Sequence, residues 1–169
     1  EAVRPDAFLH LAGVSNISHA LKNPLDTWTV NLMGALALAE ALQACVPDAP
    51  LVHVSSGEVY GLTANAGRRL TEDSPLAPAN LYSVTKASAD LALGEMALRG
   101  LRVVRLRPFN HTGPGQSADF VVPHIAKQVA AAERAGGGEL AIGALDHARD
   151  FLDVSDVCAA YIATLRRFD

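Results

Sequence analysis

The chain has 169 residues, of which 50% are hydrophobic and 19% are charged, and its formal net charge is -4. This length is enough for one domain with a hydrophobic core. The negative balance and the scattered basic residues argue against a nucleic-acid-binding protein, and no apolar run is long enough to span a bilayer.

Strand-like and helix-like segments alternate along the chain. Residues 7–12 form a short apolar run before Gly13 and predict a buried parallel strand. In chain order, the sequence then predicts a helix at 26–45, a strand at 51–55, a long functional loop at 56–79, a helix at 83–99, a strand at 101–106, a loop at 107–116, a helix at 121–135, a short strand at 139–142 and a helix at 154–167 that starts near Ser155 and Asp156. This order predicts an α/β fold, a doubly wound parallel sheet with helices on both faces.

Three segments that could take part in binding or catalysis follow the predicted strands. Gly13 comes after the first strand, Ser55 and Ser56 come at the end of the second, and residues 108–110 come after the third. In open parallel sheets, ligands bind beyond the carboxyl ends of the strands. We therefore expect a functional site at this edge of the sheet.

Tyr82 and Lys86 stand four residues apart in a predicted helix, so their side chains share one face. A free phenol has a pKa near 10 and is a poor proton donor or base at neutral pH. A fixed ammonium beside it favours the phenolate, so we expect Lys86 to lower the pKa of Tyr82. Together the two residues predict proton-transfer chemistry.

Several other residues are interpreted as structural. Cys45 and Cys158 lie in apolar helical surroundings and are expected to be reduced core thiols of a cytoplasmic protein. His10 and His53 lie in apolar strands and are expected to be core histidines with satisfied hydrogen bonds. Asn31 is expected to bridge backbone rather than touch a ligand, and no His or Cys spacing indicates a metal site.

Ser56, Tyr82 and Lys86 resemble the catalytic set of the extended branch of the short-chain dehydrogenase/reductase superfamily. Five segments resemble motifs of that branch and occur in the same order. Residues 10–13 resemble its loop after the fourth strand, residues 31–34 its helix motif and residues 55–61 its catalytic Ser/Thr segment. Residues 107–110 resemble its nicotinamide and substrate segment, and residues 149–154 its diphosphate segment. The resemblance implies a Rossmann-like fold, a cytoplasmic enzyme that uses NADP or NAD, and a homodimer formed through the helix at 83–99.

Two segments narrow the resemblance within that branch. Residues 107–116 and 148–154 are similar to those of GDP-4-keto-6-deoxy-D-mannose reductases, which produce GDP-D-rhamnose and act on a GDP-sugar. The related GDP-mannose 4,6-dehydratases carry a Glu that acts as base at C5, and Glu58 stands in the matching place. The reductase is favoured, while the dehydratase and, less so, a sugar-nucleotide epimerase stay open.

The resemblance also implies a role for each site residue. Tyr82 would exchange the proton at O4, Ser56 would stabilise that oxygen, Lys86 would bind the nicotinamide ribose, and Glu58 would be a catalytic candidate. The implied cofactor-binding positions are Leu11, Ala12, Gly13, Tyr82, Lys86, Pro108 and Phe109, and the implied substrate-binding positions are Ser56, Asn110 and Arg149.

The chain lacks the glycine-rich turn that would meet the dinucleotide pyrophosphate. It also begins at Glu1 and ends at Asp169 within or just after a helical pattern. We therefore expect a single partial domain at 1–169, with the start of the substrate-binding region at about 108–150. A catalytically inactive remnant with a binding or structural role is the alternative from another class.

Overall fold

The computed structural model describes residues 4–67, 69–144 and 148–168. The two chain ends, Arg68 and part of the predicted substrate-binding region therefore lie outside the described residues. The chain forms two compact units, one made of residues up to Pro108 together with those from Ala160, and the other of residues 109–159. The sequence predicts a single partial domain, and the second unit starts where the substrate-binding region is predicted to start.

The first unit contains a parallel sheet of three strands in the order β1-β2-β3. The strands are β1 (Phe8–His10), β2 (Leu51–Val54) and β3 (Val103–Leu106). All three predicted strands are confirmed, each shorter than its apolar run. Residues of β2 are largely buried, whereas those of β1 are half-buried because β1 has a single neighbour in this sheet.

Helices connect the strands of this sheet. The connection from β1 to β2 contains α1 (Ile17–Lys22), α2 (Pro24–Trp28), a π-helical turn (Thr29–Met33) and α3 (Gly34–Cys45), and α4 (Leu81–Leu98) connects β2 to β3. Alanines on α3 and α4 let the two helices pack closely. The core that they form with the sheet contains Ala35, Ala39, Leu42, Leu51, Ala89, Leu93, Met96 and Leu101.

The observed helices refine the predicted ones. The helix predicted at 26–45 is present from Pro24 to Cys45, interrupted by the π-helical turn. Helix α1 is not predicted, because six residues carry too little periodicity to reveal it. The long loop after Ser55 contains a 3₁₀ segment (Gly57–Ala66), bent at Gly61 with a φ of 44°. A Cβ atom at Gly61 would collide with the backbone of Ala77.

The second unit contains a pair of parallel strands and a helix. Strands β4 (Asn110–Thr112) and β5 (Phe151–Asp153) pair from Asn110 opposite Phe151 to Thr112 opposite Asp153, and α5 spans Val121–Arg134 as predicted. The prediction of an uninterrupted loop at 107–116 is therefore wrong, because β4 finds a partner 41 positions further on.

Of two further predictions at this end of the chain, one is wrong and one is confirmed. Residues 139–142 are not a strand, since the Ala141 backbone pairs with the side chain of Gln128 at 2.8 and 2.9 Å instead of with another strand. Helix α6 (Val154–Arg166) confirms the last predicted helix. It starts at Val154, near Ser155 and Asp156 as predicted, and Asp153 caps its first turn by accepting from the backbone of Ser155 at 2.8 Å.

Both cysteines differ from their predicted environment. Cys45 and Cys158 are free, but both are exposed rather than part of the core. Cys45 is the last residue of α3, past the alanine and leucine positions that face the sheet. Among the described helices, none combines the length and apolar composition that crossing a membrane requires.

Candidate active site

The first unit brings Ser56, Tyr82 and Lys86 together. Ser56 lies just beyond the carboxyl end of β2, and Tyr82 and Lys86 lie in the first two turns of α4. The first turn of α4 is fixed by a capping box, in which the Asn80 side chain accepts from the Ser83 backbone at 2.8 Å and Ser83 Oγ accepts from the Asn80 backbone at 3.0 Å. This cap holds Tyr82 in place.

Ser56 is positioned by backbone hydrogen bonds on both sides. Ser55 N donates to Leu106 O at 2.7 Å, and Gly57 N donates to Pro108 O at 2.8 Å. These bonds join the ends of β2 and β3, so Pro108 lies beside the Ser56 segment. Ser56 Oγ accepts from the backbone of Glu58 at 3.2 Å.

The pKa of Tyr82 is raised, which is opposite to the direction that the Tyr–Lys spacing predicts. Burial is the largest cause because it disfavours the charged phenolate, and the negative charge of Glu58 acts in the same direction. A hydrogen bond with the Ser56 side chain lowers the pKa but does not overcome burial. The phenol is therefore held protonated.

Lys86 makes its main contact elsewhere. Its Nζ donates to the backbone carbonyl of Val54 at 2.5 Å, and the residue is buried. Burial lowers the pKa of Lys86 to about 8, and the negative charge of Asp90 raises it in part. The ammonium is thus tied to β2 and does not lower the pKa of Tyr82 as expected.

Asn31 has the structural role that the sequence predicts. It lies in the π-helical turn, where it is buried. Its Oδ1 accepts from Val14 N at 2.8 Å, and its Nδ2 donates to Val14 O at 3.1 Å and to Thr85 Oγ1 at 2.9 Å. Asn31 therefore joins the loop after β1 to α4, next to Tyr82 and Lys86. Such π-helical turns occur often at functional sites.

The predicted cofactor-binding loop, Leu11, Ala12 and Gly13, is exposed at the carboxyl end of β1. A Cβ atom at Gly13 would lie 3.1 Å from Asn31 Oδ1 and 4.0 Å from Lys86 Nζ, so this edge is close to the Lys86 ammonium. An exposed loop, a nearby ammonium and the protonated Tyr82 suit the hydroxyl groups and ring of a nicotinamide riboside. The residues present therefore fit that half of NAD or NADP.

His10 and His53 pair across β1 and β2, with 3.0 Å between their Nδ1 atoms. Burial is the largest cause that lowers the pKa of both rings, that of His53 to about 3, and the charge of Lys86 acts in the same direction. Within the described residues, His53 Nε2 is buried without a hydrogen-bond partner. The prediction that both histidines are satisfied is therefore wrong for this atom.

The sequence does not predict an ion-pair network around Asp90. Asp90 lies one turn after Lys86 on α4 and is 0% exposed. It accepts from Arg107 Nε and Nη2 at 2.9 Å each and from Arg105 Nη1 at 3.0 Å. Tyr60 stacks under the Arg107 guanidinium, 5.3 Å from ring centre to Cζ. Two signals in the sequence could have revealed this network: the acidic Asp90 four residues after Lys86, and Arg107 directly before Pro108.

The remaining predicted site residues belong to the second unit. Asn110 lies on β4, half-buried, and its neighbour Phe109 has its carbonyl 3.0 Å from His111 Nδ1. Arg149 is exposed, and its Nη1 donates to Ala148 O at 3.2 Å. A Cβ atom at Gly113 would collide with Val154, so this turn requires glycine. No group of three or more metal-ligating side chains occurs in the described parts of either unit.

The whole described chain matches a known family. Residues 1–168 match the family model of GDP-mannose 4,6 dehydratase. The chain is 40% identical over 163 residues to a GDP-6-deoxy-D-mannose reductase of Pseudomonas aeruginosa, covering 95% of this chain and 54% of the relative. It is 31% identical over 176 residues to a dTDP-glucose 4,6-dehydratase of Xanthomonas campestris, covering 97% and 48%.

Solved structures give the same result. The structure of RMD from Pseudomonas aeruginosa complexed with NADPH matches with a TM-score of 0.88 and 40% identity, covering 98% of this chain and 57% of that one. A dTDP-glucose 4,6-dehydratase from Bacillus anthracis in complex with NAD matches with a TM-score of 0.78 and 28% identity, covering 97% and 48%. The chain spans about half the length of these relatives. The Rossmann-like α/β fold with parallel strands is thus confirmed.

Proposed function

The chain belongs to the GDP-mannose 4,6-dehydratase family, and from this membership we propose that the intact protein is a nucleotide-sugar reductase. It reduces the 4-keto group of GDP-4-keto-6-deoxy-D-mannose to give GDP-D-rhamnose, with NADPH or NADH. The relative with 40% identity is a reductase, whereas the dTDP-glucose dehydratase is 31% identical. The segment 107–116 supports the same choice.

The observation that carries this proposal is that the Ser56 hydroxyl, just beyond the end of β2, interacts with the buried, protonated phenol of Tyr82 at the start of α4. Burial and the charge of Glu58 raise the pKa of Tyr82, so the side chain keeps its proton at neutral pH. Reduction of a ketone needs a proton donor at the carbonyl oxygen, and a protonated phenol supplies it. A phenol that is protonated at neutral pH therefore suits the reductive direction.

The predicted site residues of the first unit have the following roles in this mechanism. Tyr82 gives its phenolic proton to O4, and the Ser56 hydroxyl donates a hydrogen bond to the same oxygen as negative charge develops there. Lys86 and the loop at 11–13 would hold the nicotinamide ribose, and Pro108 would border the ring. A nicotinamide held there would supply the hydride that C4 needs. Tyr82 then recovers a proton from solvent.

The second unit contributes binding groups. Within this unit, Asn110 on β4 suits a sugar hydroxyl or phosphate, and the exposed Arg149 suits a diphosphate, which a planar fork of donors can bind. We further propose a homodimer of a cytoplasmic enzyme, formed through α4. The exposure of Leu91 and Leu98 on this helix, 60% and 89%, supports such an interface.

A dehydratase is the second candidate, and Glu58 is the observation that favours it. Glu58 is half-buried and close enough to Tyr82 for its charge to raise the pKa of the phenol. A carboxylate in this place can take a proton from C5 of a sugar whose C4 is oxidised. Such an enzyme would convert GDP-mannose to its 4-keto-6-deoxy product without net use of the cofactor.

The test is replacement of Tyr82 by Phe in the intact protein. The variant should lose at least about 100-fold in kcat, because the proton donor is removed. The assay follows oxidation of NADPH and of NADH by absorbance in the presence of GDP-4-keto-6-deoxy-D-mannose. Tyr161→Phe, which removes a hydroxyl from another buried tyrosine, on α6, is the matched control and should keep its activity.

Three other results would change the assignment. Unchanged turnover in Tyr82→Phe would exclude its role as proton donor. Conversion of GDP-mannose to a keto sugar, with no oxidation of either cofactor, would establish the dehydratase. Absence of both reactions in a folded protein that still binds NADPH would exclude both reactions and leave a non-catalytic remnant or another sugar nucleotide.

A further inference from the structure

We propose that Asp90 is a positioning residue of this active site, and this inference rests on the proposed function. Asp90 holds α4, which carries Tyr82 and Lys86, to the end of β3, two residues before Pro108. It does so through Arg105 on β3 and through Arg107, the residue that follows this strand. The established family relationship does not assign a role to Asp90.

The contact geometry identifies Asp90 as the centre of the network. Arg107 approaches the carboxylate with two parallel hydrogen bonds, Nε to Oδ2 and Nη2 to Oδ1, both 2.9 Å long. Arg105 adds a third bond, from Nη1 to Oδ1 at 3.0 Å. A bidentate pair fixes orientation as well as distance. Asp90 therefore restrains both the rotation of α4 and the position of β3.

Arg107 extends this restraint to the Ser56 side of the site. Its Nη1 donates to Tyr60 Oη and to Glu72 O at 3.0 Å each. The next residue, Pro108, accepts from the Gly57 backbone at 2.8 Å, directly after Ser56. One guanidinium thus connects α4, the end of β3 and the segment after Ser56. All three places must keep their mutual distances if Ser56 and Tyr82 are to reach the same oxygen.

Because Asp90 is fully buried, its charge depends on its arginine partners. Asp90 is 0% exposed, and the side chain of Arg107 is 15% exposed. Burial alone would raise the pKa of Asp90, but the hydrogen bonds and charges of Arg107 and Arg105 lower it, so the carboxylate stays charged. Ser55 also contributes to the lowering, although its hydroxyl lies outside normal hydrogen-bond geometry. Removing one partner would leave buried charge unpaired.

Asp90 also acts on the charge of Lys86, one turn earlier on α4. Among the described residues, the titratable groups that interact with Lys86 are Asp90 from the same helix, His10 from β1 and His53 from β2, and of these Asp90 is the negative one. Arg105, from β3, faces the same His53 ring. Asp90 is therefore the group that keeps Lys86 charged against the effect of burial.

The experiment compares Asp90→Asn, Arg107→Lys and Glu40→Gln in the intact protein. Asp90→Asn keeps the shape and removes the charge, so kcat should fall by roughly 10- to 100-fold with little change in KM. Lys86 should also lose its proton at lower pH, as measured by NMR titration of ¹³C-labelled lysine, with the signal assigned from Lys86→Arg. Glu40→Gln removes an exposed carboxylate from α3, outside the proposed site and interface, and should match the wild type in both readouts.

Arg107→Lys separates geometry from charge. It keeps the positive charge but loses the bidentate fork, so kcat should fall by about tenfold while the Lys86 titration stays in place. A purely structural role of Asp90 would lower the melting temperature without moving that titration. The inference is overturned if folded Asp90→Asn keeps both the wild-type kcat and the Lys86 titration. If Asp90→Asn does not fold, unchanged kcat in Arg107→Lys overturns it.

The two proposals fail in distinguishable ways. If the wild type oxidises neither NADPH nor NADH, the proposed function fails. The Lys86 titrations of the wild type and Asp90→Asn then still decide whether Asp90 controls the charge of Lys86, because they need no turnover. Coincident titrations in that case overturn the inference as well.

Discussion

At the scale of single residues, burial rather than spacing decides the chemistry of the site. The four-residue separation of Tyr82 and Lys86 predicts a lowered phenol pKa, yet the pKa of Tyr82 is raised and that of Lys86 falls to about 8. Each shift disfavours the charged form, which is the expected effect of desolvation. The site therefore starts from a protonated phenol, as a reductase requires.

Glu58→Gln tests which reaction the site performs. In a reductase the variant should keep kcat within about threefold, because the carboxylate takes no part in proton donation at O4. In a dehydratase it should lose at least about 100-fold, because the base at C5 is gone. The measurements are NADPH oxidation with the 4-keto sugar and keto-sugar formation from GDP-mannose.

Two features make this comparison sharp. Removing the charge of Glu58 lowers the pKa of Tyr82, so any effect on the reductase should grow at alkaline pH. Glu40→Gln, on the exposed side of α3, is the matched control and should leave both reactions unchanged. Loss of reduction in Glu58→Gln at neutral pH would contradict the role given to Tyr82 alone.

At the scale of elements, the first turn of α4 and the π-helical turn place the reacting groups. The capping box of Asn80 and Ser83 fixes the first turn of α4, in which Tyr82 stands. The π-helical turn carries Asn31, whose amide joins the loop after β1 to Thr85 on α4. The sequence predicts both helices and the structural role of Asn31, but not the π-helical geometry, which depends on contacts with α4.

Asn80→Ala should destabilise the protein by about 1 kcal/mol, because the backbone of Ser83 loses its cap. It should also lower kcat by about 3- to 10-fold, since Tyr82 lies two residues away and its position loosens. Urea denaturation gives the stability and the NADPH assay gives kcat.

Asn16→Ala is the matched control for this change. Asn16 caps α1 in the same way, accepting from the His19 backbone at 2.9 Å, but α1 carries none of the proposed catalytic residues. The control should lose stability without losing kcat. Equal losses of kcat in both variants would show that the α4 cap has no special effect on the site.

At the scale of the whole molecule, the first unit contains a layer of buried polar groups between α4 and the sheet. It includes the His10–His53 pair, Lys86 and the Asp90 network. Burial and the charge of Lys86 lower the pKa of His53 to about 3, so the folded protein holds this ring neutral. Such a layer makes stability depend on pH.

Acid should therefore destabilise the protein. The pKa of His53 is about 3 in the folded chain and 6.5 in the unfolded chain. As the pH falls, the unfolded chain therefore takes up the proton first, and the free energy of unfolding decreases once the pH is below the pKa of the unfolded chain. Between about pH 7 and about pH 5 this residue should remove about 2 kcal/mol of unfolding free energy. Urea denaturation at the two pH values measures the loss.

His53→Gln should abolish most of that pH dependence, because glutamine does not titrate. His19→Gln, at an exposed position on α1, is the control and should retain it. A wild-type unfolding free energy that is constant over this range would contradict the assignment of a neutral, buried His53.

The sequence by itself determined the parallel strands of the first unit and the major helices, and it placed Tyr82 and Lys86 on one helix face. These features are local, because apolar periodicity and four-residue spacing are properties of short segments. Ser56 was added to this pair by the family resemblance. The resemblance of five ordered segments supplied the family in the same way. Segments with weak periodicity, such as α1, β4 and β5, were not determined.

Only the tertiary structure decided how charge and hydrogen bonds are distributed. Asp90 meets Arg107 across 17 positions, and His10 meets His53 across 43. Strand β4 exists because β5 lies beside it, and Tyr82 keeps its proton because it is buried next to Glu58. Burial and long-range pairing set pKa values and strand partners, and neither is written in the spacing of neighbouring residues.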